Sequence, residues 1–198
     1  MYQRYFYKCM KIFFSFILAL CSLTCAAQEI TEKYLHNQTP SYSEIINFYK
    51  QLDLKYKQAE LFEAGTTDIG KPLHLFVIST DGNFNPEKLR EANKRILFIN
   101  NGIHPGEPDG IDASMKWSEE LLSGITTNSE LDNVVLCIVP VYNVDGCLNR
   151  GSNFRVNQNG PEEGGFRGNA RNLDLNRDCI KMDSENARSF AKVFQAWK

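Results

Sequence analysis

The chain has 198 residues, a formal net charge of -2 at pH 7, and 42% hydrophobic and 12% aromatic residues. This length favours a single domain, and such a composition is sufficient for a globular core. The near-neutral charge, with no basic run outside the N-terminus, gives no indication of a nucleic-acid partner. Three of the six cysteines lie in the first 25 residues, and the odd number that remains excludes a complete disulfide framework.

Residues 1–27 have the order of a signal peptide. Basic residues come first, an apolar segment at residues 12–23 follows, and the small residues 25–27 precede Gln28. The apolar segment is too short to span a bilayer comfortably, so a membrane anchor is the weaker alternative. We therefore expect an exported protein, periplasmic or secreted, with Gln28 as its mature N-terminus and no stable membrane span after removal of the signal.

Residues 28–55 are predicted to form a helical lead-in. Ser43 is a plausible N-cap, and the apolar residues after it have helical spacing (Ile45, Ile46, Phe48, Tyr49 and Leu52). Two β-like runs follow at residues 56–64 and 73–79. The turn residues between them predict an antiparallel hairpin. His74 lies in the second run and is interpreted as structural.

The middle of the chain predicts a strand, a helix and a second strand. After a polar excursion at residues 83–94, which could hold a short helix, comes an apolar β-branched run at residues 96–100. Residues 109–122 follow as a helix with one apolar stripe (Ile111, Met115, Ser118 and Leu122), and residues 133–139 form a second apolar run. A strand, helix and strand at this spacing form a right-handed parallel crossover by default. The expected fold is α/β, with a mixed, centrally parallel sheet flanked by helices.

The last third of the chain combines a long loop with a terminal helix. Residues 147–172 are rich in Asn, Gly and Arg and are not expected to form a regular element. So long an ordered loop is usually functional, and a disordered insert is the alternative. From Ser184 onward, apolar residues at helical spacing predict a helix with one buried stripe (Ala187, Phe190, Ala191, Phe194 and Trp197).

The loop after the first deep strand carries the strongest chemical signal. It contains His104 and Glu107 within the frame Gly102 to Glu107, in which two glycines and a proline shape the backbone. Histidine and glutamate are two of the three protein ligands of a His₂Glu catalytic zinc site. A turn with an incidental histidine and a solvated glutamate is the alternative, but it does not explain the glycine and proline frame.

Four motifs in order resemble the zinc carboxypeptidase family, from about Tyr56 to the end of the chain. Residues 65–73 are similar to its glycine-punctuated hairpin turn, and residues 102–107 match its first zinc motif. Residues 143–146, Asn-Val-Asp-Gly, match its Asn-Pro-Asp-Gly with valine in place of proline. Residues 167–177 match its arginine and Asp-Leu-Asn-Arg element.

The resemblance implies a role for each matching residue. His104 and Glu107 would be ligands of Zn²⁺, and Arg167 would polarise the scissile carbonyl. Asn176 and Arg177 would hold the terminal carboxylate of a peptide substrate, which suits the paired donors of a guanidinium and an amide. Neither Asp174 nor Arg171 receives a site role, and a structural pair or surface charge is expected for them.

The sequence departs from the family in what it lacks. The family requires a third zinc ligand, a later histidine, and a still later glutamate as general base, whereas no histidine follows His104. We therefore expect residues 56–198 to be the N-terminal portion of the catalytic domain, incomplete at its C-terminus, and inactive alone. One alternative is a related acyl-amino-acid amidohydrolase, which shares the His-x-x-Glu and Asp-Leu-Asn-Arg motifs. The other is a non-catalytic peptide-binding relative that keeps the carboxylate clamp.

Overall fold

A computed structural model describes residues 30–124 and 131–198. The predicted signal peptide and the predicted mature N-terminus at Gln28 lie outside these described residues. Within them, no helix has the length and apolar character needed to cross a membrane.

A four-stranded sheet forms the centre of the fold, with β1 at Ala59–Thr66, β2 at Pro72–Ser79, β3 at Arg95–Asn100 and β4 at Val134–Val139. The strand order is β1-β2-β4-β3. β1 and β2 form the predicted antiparallel hairpin, and β3 and β4 pair in parallel, as predicted. β2 and β4 are antiparallel, so the sheet is mixed with a single parallel pair. β3 was expected to be central, but it is an edge strand of the described sheet.

Helices cover both faces of the sheet. Side chains alternate between the faces along each strand, so each face presents its own set of strand residues to the helices. On one face lie α1 (Tyr42–Lys55) and α3 (Asp109–Gly124), which pack on strand residues such as Phe76 and Ile138. All four residues of the predicted α3 stripe are buried. On the other face, α5 (Glu185–Trp197) packs on alternate strand residues such as Val77 and Val139. The short helix predicted between β2 and β3 is α2 (Pro86–Glu91).

The N-cap of α1 is Ser41 and not Ser43, so that prediction was wrong. The backbone N–H of Glu44 donates to the Ser41 hydroxyl, and the Glu44 carboxylate accepts from the Ser41 N–H at 2.8 Å. This reciprocal capping box requires a glutamate three residues after the serine, which only Ser41 has. Before α1, a 3-10 turn lies at Lys33–His36.

The buried face of α5 differs in part from the predicted stripe. Ala187 and Trp197 are buried as expected, but Val193 is also buried and Phe194 is 44% exposed. The Phe194 ring leans edge-on against Phe98 of β3, with centroids 5.6 Å apart. Because β3 is an edge strand of the described sheet, its outer side leaves that ring partly open to solvent.

The long loop contains short regular pieces that the sequence analysis did not expect. α4 (Val144–Leu148) follows β4, and two-residue strands β5 (Arg150–Gly151) and β6 (Gly164–Gly165) pair antiparallel. This small ladder closes the intervening segment into a compact excursion. It therefore brings the excursion back beside the loop that follows β3.

Candidate metal centre

The parallel pair β3 and β4 brings two motif-bearing loops to the same edge of the sheet. The N–H of Tyr142, after β4, donates to the carbonyl of Asn101, after β3, at 2.8 Å. The N–H of Asn143 donates to the carbonyl of Gly102 at 3.0 Å. The carboxyl ends of parallel strands are where open α/β sheets bind ligands. The first zinc motif and the Asn-Val-Asp-Gly motif are therefore neighbours in space.

The backbone of the first loop turns sharply and directs His104 inward. Gly102 has φ of +64°, and a side chain there would also approach Ile111 at 3.0 Å. The N–H of Glu107 donates to the His104 carbonyl at 2.9 Å and closes the turn. The His104 side chain is buried, with 5% exposure, whereas that of Glu107 is 48% exposed. Nδ1 of His104 lies 3.5 Å from Oε2 of Glu107.

Asp174 connects the predicted site residues to one another. Its Oδ1 lies 2.9 Å from Nε2 of His104, and its Oδ2 accepts from Nε of Arg167 at 3.0 Å. The backbone N–H of Asn176 also donates to Oδ1, at 3.0 Å. Burial acts to raise the pKa of Asp174, but the hydrogen bonds from His104, Asn176 and Arg167 outweigh it and lower the pKa to about 2. The sequence analysis gave Asp174 no site role, yet its carboxylate contacts both His104 and Arg167.

The Asn-Val-Asp-Gly motif positions Arg167. The side-chain amide of Asn143 donates to the Arg167 carbonyl at 3.0 Å, while its oxygen caps α4 by accepting from Gly146 at 2.9 Å. The Asp145 carboxylate accepts from the Ala170 N–H at 3.2 Å. Two residues of the motif, Asn143 and Asp145, thus hold the backbone on either side of Gly168. The guanidinium of Arg167 lies with Nη1 3.8 Å from Oε1 of Glu107.

Arg155 is a site residue that sequence reasoning missed. Its Nη2 donates to Oε1 of Glu107 at 2.5 Å. Burial acts to raise the pKa of Glu107, but the hydrogen bond and the charge of Arg155 lower the pKa below its ordinary value. No local pattern marks this arginine, since it lies in the loop 48 residues after its partner.

Asn176 and Arg177 lie in a single 3-10 turn, Leu175–Arg177, next to the cluster. Among the residues that the structure describes, Asn176 is linked to the cluster through its backbone N–H, which donates to Asp174. The exposed Arg177 guanidinium donates to the Asn176 carbonyl at 3.0 Å. The contacts of the described residues thus join His104, Glu107 and Arg167 directly, whereas the side chains of Asn176 and Arg177 are not joined to them.

The His104 and Glu107 pair fits two ligand positions of a zinc site. Zinc–nitrogen and zinc–oxygen bonds of about 2.0–2.2 Å at a tetrahedral angle place two ligand atoms about 3.4 Å apart. Nδ1 of His104 and Oε2 of Glu107 are 3.5 Å apart. Asp174 contacts the other ring nitrogen, and a carboxylate in that position orients the imidazole ligand in known zinc sites. Across residues 30–124 and 131–198, no group of three or more His, Cys, Asp or Glu side chains is arranged to hold a metal ion.

Comparison with known proteins identifies the family of the chain. The family described as zinc carboxypeptidase matches residues 45–196 of the chain. Since the match covers most of the chain, the protein belongs to the zinc carboxypeptidase family. No curated protein sequence matches the chain.

Solved carboxypeptidase structures share the fold. A metallo-carboxypeptidase from Burkholderia cenocepacia is 20% identical and covers 80% of this chain and 39% of its own, with a TM-score of 0.59. Bovine thrombin-activatable fibrinolysis inhibitor is 15% identical and covers 81% and 57%, with a TM-score of 0.56. A metallo-carboxypeptidase from Pseudomonas aeruginosa is 17% identical and covers 79% and 36%, with a TM-score of 0.53. The chain therefore spans between 36% and 57% of the length of these three structures.

Proposed function

We propose that this chain forms the N-terminal part of a zinc-dependent metallocarboxypeptidase, which removes residues from the C-termini of peptides. The observation that carries the proposal is the convergence of His104 Nδ1 and Glu107 Oε2 at 3.5 Å, beside the Arg167 guanidinium. Two metal-ligand types and a cation for a developing oxyanion are among the parts that peptide hydrolysis at zinc requires.

Each residue of the site has a chemical task in this proposal. His104 and Glu107 would hold Zn²⁺, which when bound activates water and polarises a carbonyl. Asp174 orients the His104 ring and holds Arg167 at the same time. Arg167, 42% exposed, is free on its outer side to donate to the oxygen of a scissile carbonyl. A donor placed at a developing oxyanion typically contributes about 3 kcal/mol to lowering the barrier.

Substrate recognition is assigned to the turn that follows Asp174. Asn176 and Arg177 are both exposed beside the cluster, with amide and guanidinium donors available to a ligand. A guanidinium binds a carboxylate through two parallel hydrogen bonds, so this pair would select peptides with a free C-terminal carboxylate. The third zinc ligand and the general base would come from residues outside this sequence.

The proposal is tested by a peptidase assay on the full-length product of the gene, including any residues that follow Lys198. We expect an N-blocked dipeptide with a free carboxylate to be hydrolysed, and a chelator to abolish the activity until zinc is restored. The same dipeptide with an amidated C-terminus is the matched control and should be a poor substrate. Binding of peptides without cleavage would favour a non-catalytic relative. Removal of the acyl group from single N-acylated amino acids, without cleavage of peptides, would favour an amidohydrolase.

We also propose that the protein is exported, because residues 1–27 have the order of a signal peptide. N-terminal sequencing of protein recovered from the periplasm or the culture medium should give Gln28 as the first residue. Cytosolic protein that retains Met1 would contradict the proposal.

A further inference from the structure

The turn between β1 and β2 carries a largely buried aspartate, Asp68, whose side chain is 8% exposed. The Thr67 N–H donates to the Lys71 carbonyl at 2.9 Å, and the Gly70 N–H donates to the Thr67 carbonyl at 2.8 Å. Gly70 has φ of +71°, a conformation that other residues rarely adopt. The hairpin therefore presents the Asp68 carboxylate from a well-defined turn.

One oxygen of Asp68 binds two points that are distant along the chain. Oδ2 accepts from Nδ2 of Asn169 at 2.6 Å and from the backbone N–H of Glu185, the first residue of α5, at 3.2 Å. The 3-10 turn that carries the proposed carboxylate-binding residues lies between these two points. An anion is favoured at the N-terminus of a helix, and hydrogen bonds to a charged acceptor are strong. The carboxylate thus closes the base of residues 169–185, which we call the site segment.

Asn169 transmits this contact to the backbone of the site segment. Its side chain is buried, and its Oδ1 accepts from the N–H groups of Arg171 at 3.0 Å and Leu173 at 2.9 Å. Since only an oxygen can accept from these two donors, the amide nitrogen of Asn169 points to Asp68. The Asn169 N–H also donates to the Leu173 carbonyl at 2.9 Å. The backbone immediately before Asp174 therefore takes its shape from Asn169.

Further contacts join the two sides of the site segment near its base. Nη1 of Arg171 donates to the Asp183 carbonyl at 2.7 Å and lies 3.9 Å from Oδ1 of Asp68. The Asp178 carboxylate accepts from the N–H groups of Asp183 and Ser184, each at 2.8 Å. Asp68 is the point at which this closed segment is attached to the hairpin of the central sheet.

We propose that Asp68 is a positioning residue for substrate recognition, which closes the base of the site segment and so fixes Asn176 and Arg177 relative to Arg167. This inference rests on the proposed function, in which Arg167 serves the scissile carbonyl and the other two residues bind the terminal carboxylate. With the base closed, the carboxylate-binding turn is ordered before substrate arrives. With the base open, a free carboxylate must order the segment as it binds, which weakens binding.

The preference for a free carboxylate tests this role. We would compare kcat/KM for an N-blocked dipeptide with kcat/KM for its C-terminally amidated form, using the full-length product of the gene. Asp68→Ala removes the acceptor, whereas Asp68→Asn keeps an acceptor oxygen. Ser189→Ala is the matched control. The Ser189 hydroxyl donates to the Thr66 carbonyl at 2.7 Å and accepts from the Thr66 N–H at 3.0 Å, so its loss loosens the same hairpin from α5 but leaves Asn169 untouched.

We expect Asp68→Ala to lower the ratio of free to amidated kcat/KM about tenfold or more, mainly through KM, since a misplacement of about 1 Å can cost about 100-fold in activity. Asp68→Asn and Ser189→Ala should keep the wild-type ratio. An unchanged ratio in Asp68→Ala would overturn the proposal. An equal loss in Ser189→Ala would also overturn it, because loosening of the hairpin would then suffice.

A second variant covers the case in which Asp68→Ala does not fold. Asp68→Glu keeps the charge beside α5 but moves the acceptor oxygen by one methylene group, so it should also lower the ratio. An unchanged ratio in Asp68→Glu would overturn the proposal. A wild-type protein that cleaves no peptide, or that does not prefer a free carboxylate, would instead contradict the proposed function, so the two failures are distinguishable.

Discussion

Replacement of Asp174 by asparagine tests how the site is held together. Asp174 accepts hydrogen bonds from His104, Arg167 and the Asn176 backbone, at 2.9 to 3.0 Å. Asparagine has one acceptor oxygen, which can serve His104 and Asn176. Its amide nitrogen then faces the Arg167 guanidinium, donor against donor. The variant therefore loses the restraint on Arg167 and the negative charge behind the imidazole.

We expect Asp174→Asn to weaken the binding of zinc. Substitution of the partner that orients a metal-binding histidine typically weakens metal binding about 10-fold to 100-fold. That range corresponds to about 1.4–2.8 kcal/mol of binding free energy. The assay is competition for Zn²⁺ against a chromophoric chelator of known affinity, with the wild-type chain measured in parallel.

Asp81 provides the matched control for this experiment. Its carboxylate also accepts three donors, from Lys94, the Asn83 backbone and the Ser79 hydroxyl. These bonds outweigh the opposing effect of burial and lower the pKa of Asp81 to about 2, as for Asp174. Ser79 pairs with Val135 near the start of β4, so Asp81 lies at the end of the strands opposite to the candidate site. Equal zinc affinity in Asp81→Asn and Asp174→Asn would refute the reasoning.

Three further predictions concern stability and binding. Burial, with a smaller contribution from the Asp109 charge, raises the pKa of Asp112 to about 6, so this carboxyl destabilises the fold increasingly as pH rises from about 4 to about 6, and fully above that. Asp112→Asn should therefore raise the free energy of unfolding at pH 7 by about 1–2 kcal/mol, after allowance for partial exposure, as measured by urea unfolding. Below about pH 4, where the carboxyl is protonated in both the folded and the unfolded state, the substitution should have no effect. Met115→Ala removes a fully buried side chain of α3 and should lower the free energy of unfolding by about 2–5 kcal/mol in the same assay; a loss under about 1 kcal/mol would show that its packing has been misjudged. Arg177→Ala should raise KM for free-carboxylate peptides about tenfold or more while leaving amidated peptides unaffected, and an equal effect on both would remove Arg177 from carboxylate recognition.

Most regular elements were predictable because their signals are local. Strict apolar runs marked β3 and β4, and a stripe at helical spacing marked α3 and its buried residues. The N-cap of α1 lies two residues before the predicted position, although its signal, a glutamate three residues after Ser41, is also local. The strand order was harder to predict from the sequence. The position of β3 in the sheet depends on the pairing of β2 with β4, whose partner residues are 56 to 62 positions apart in the chain.

The residue types of the site were available from the sequence, whereas their connections were not. The glycine and proline frame of residues 102–107 singled out His104 and Glu107, because such frames act over a few residues, and the resemblance to zinc carboxypeptidases singled out Arg167. Asp174 lies 70 residues from His104, and Arg155 lies 48 residues from Glu107. Contacts over such distances depend on how the loops return to the ends of β3 and β4. Only the folded chain therefore decides that an aspartate of the Asp-Leu-Asn-Arg motif orients the histidine, and that an arginine outside every motif holds the glutamate.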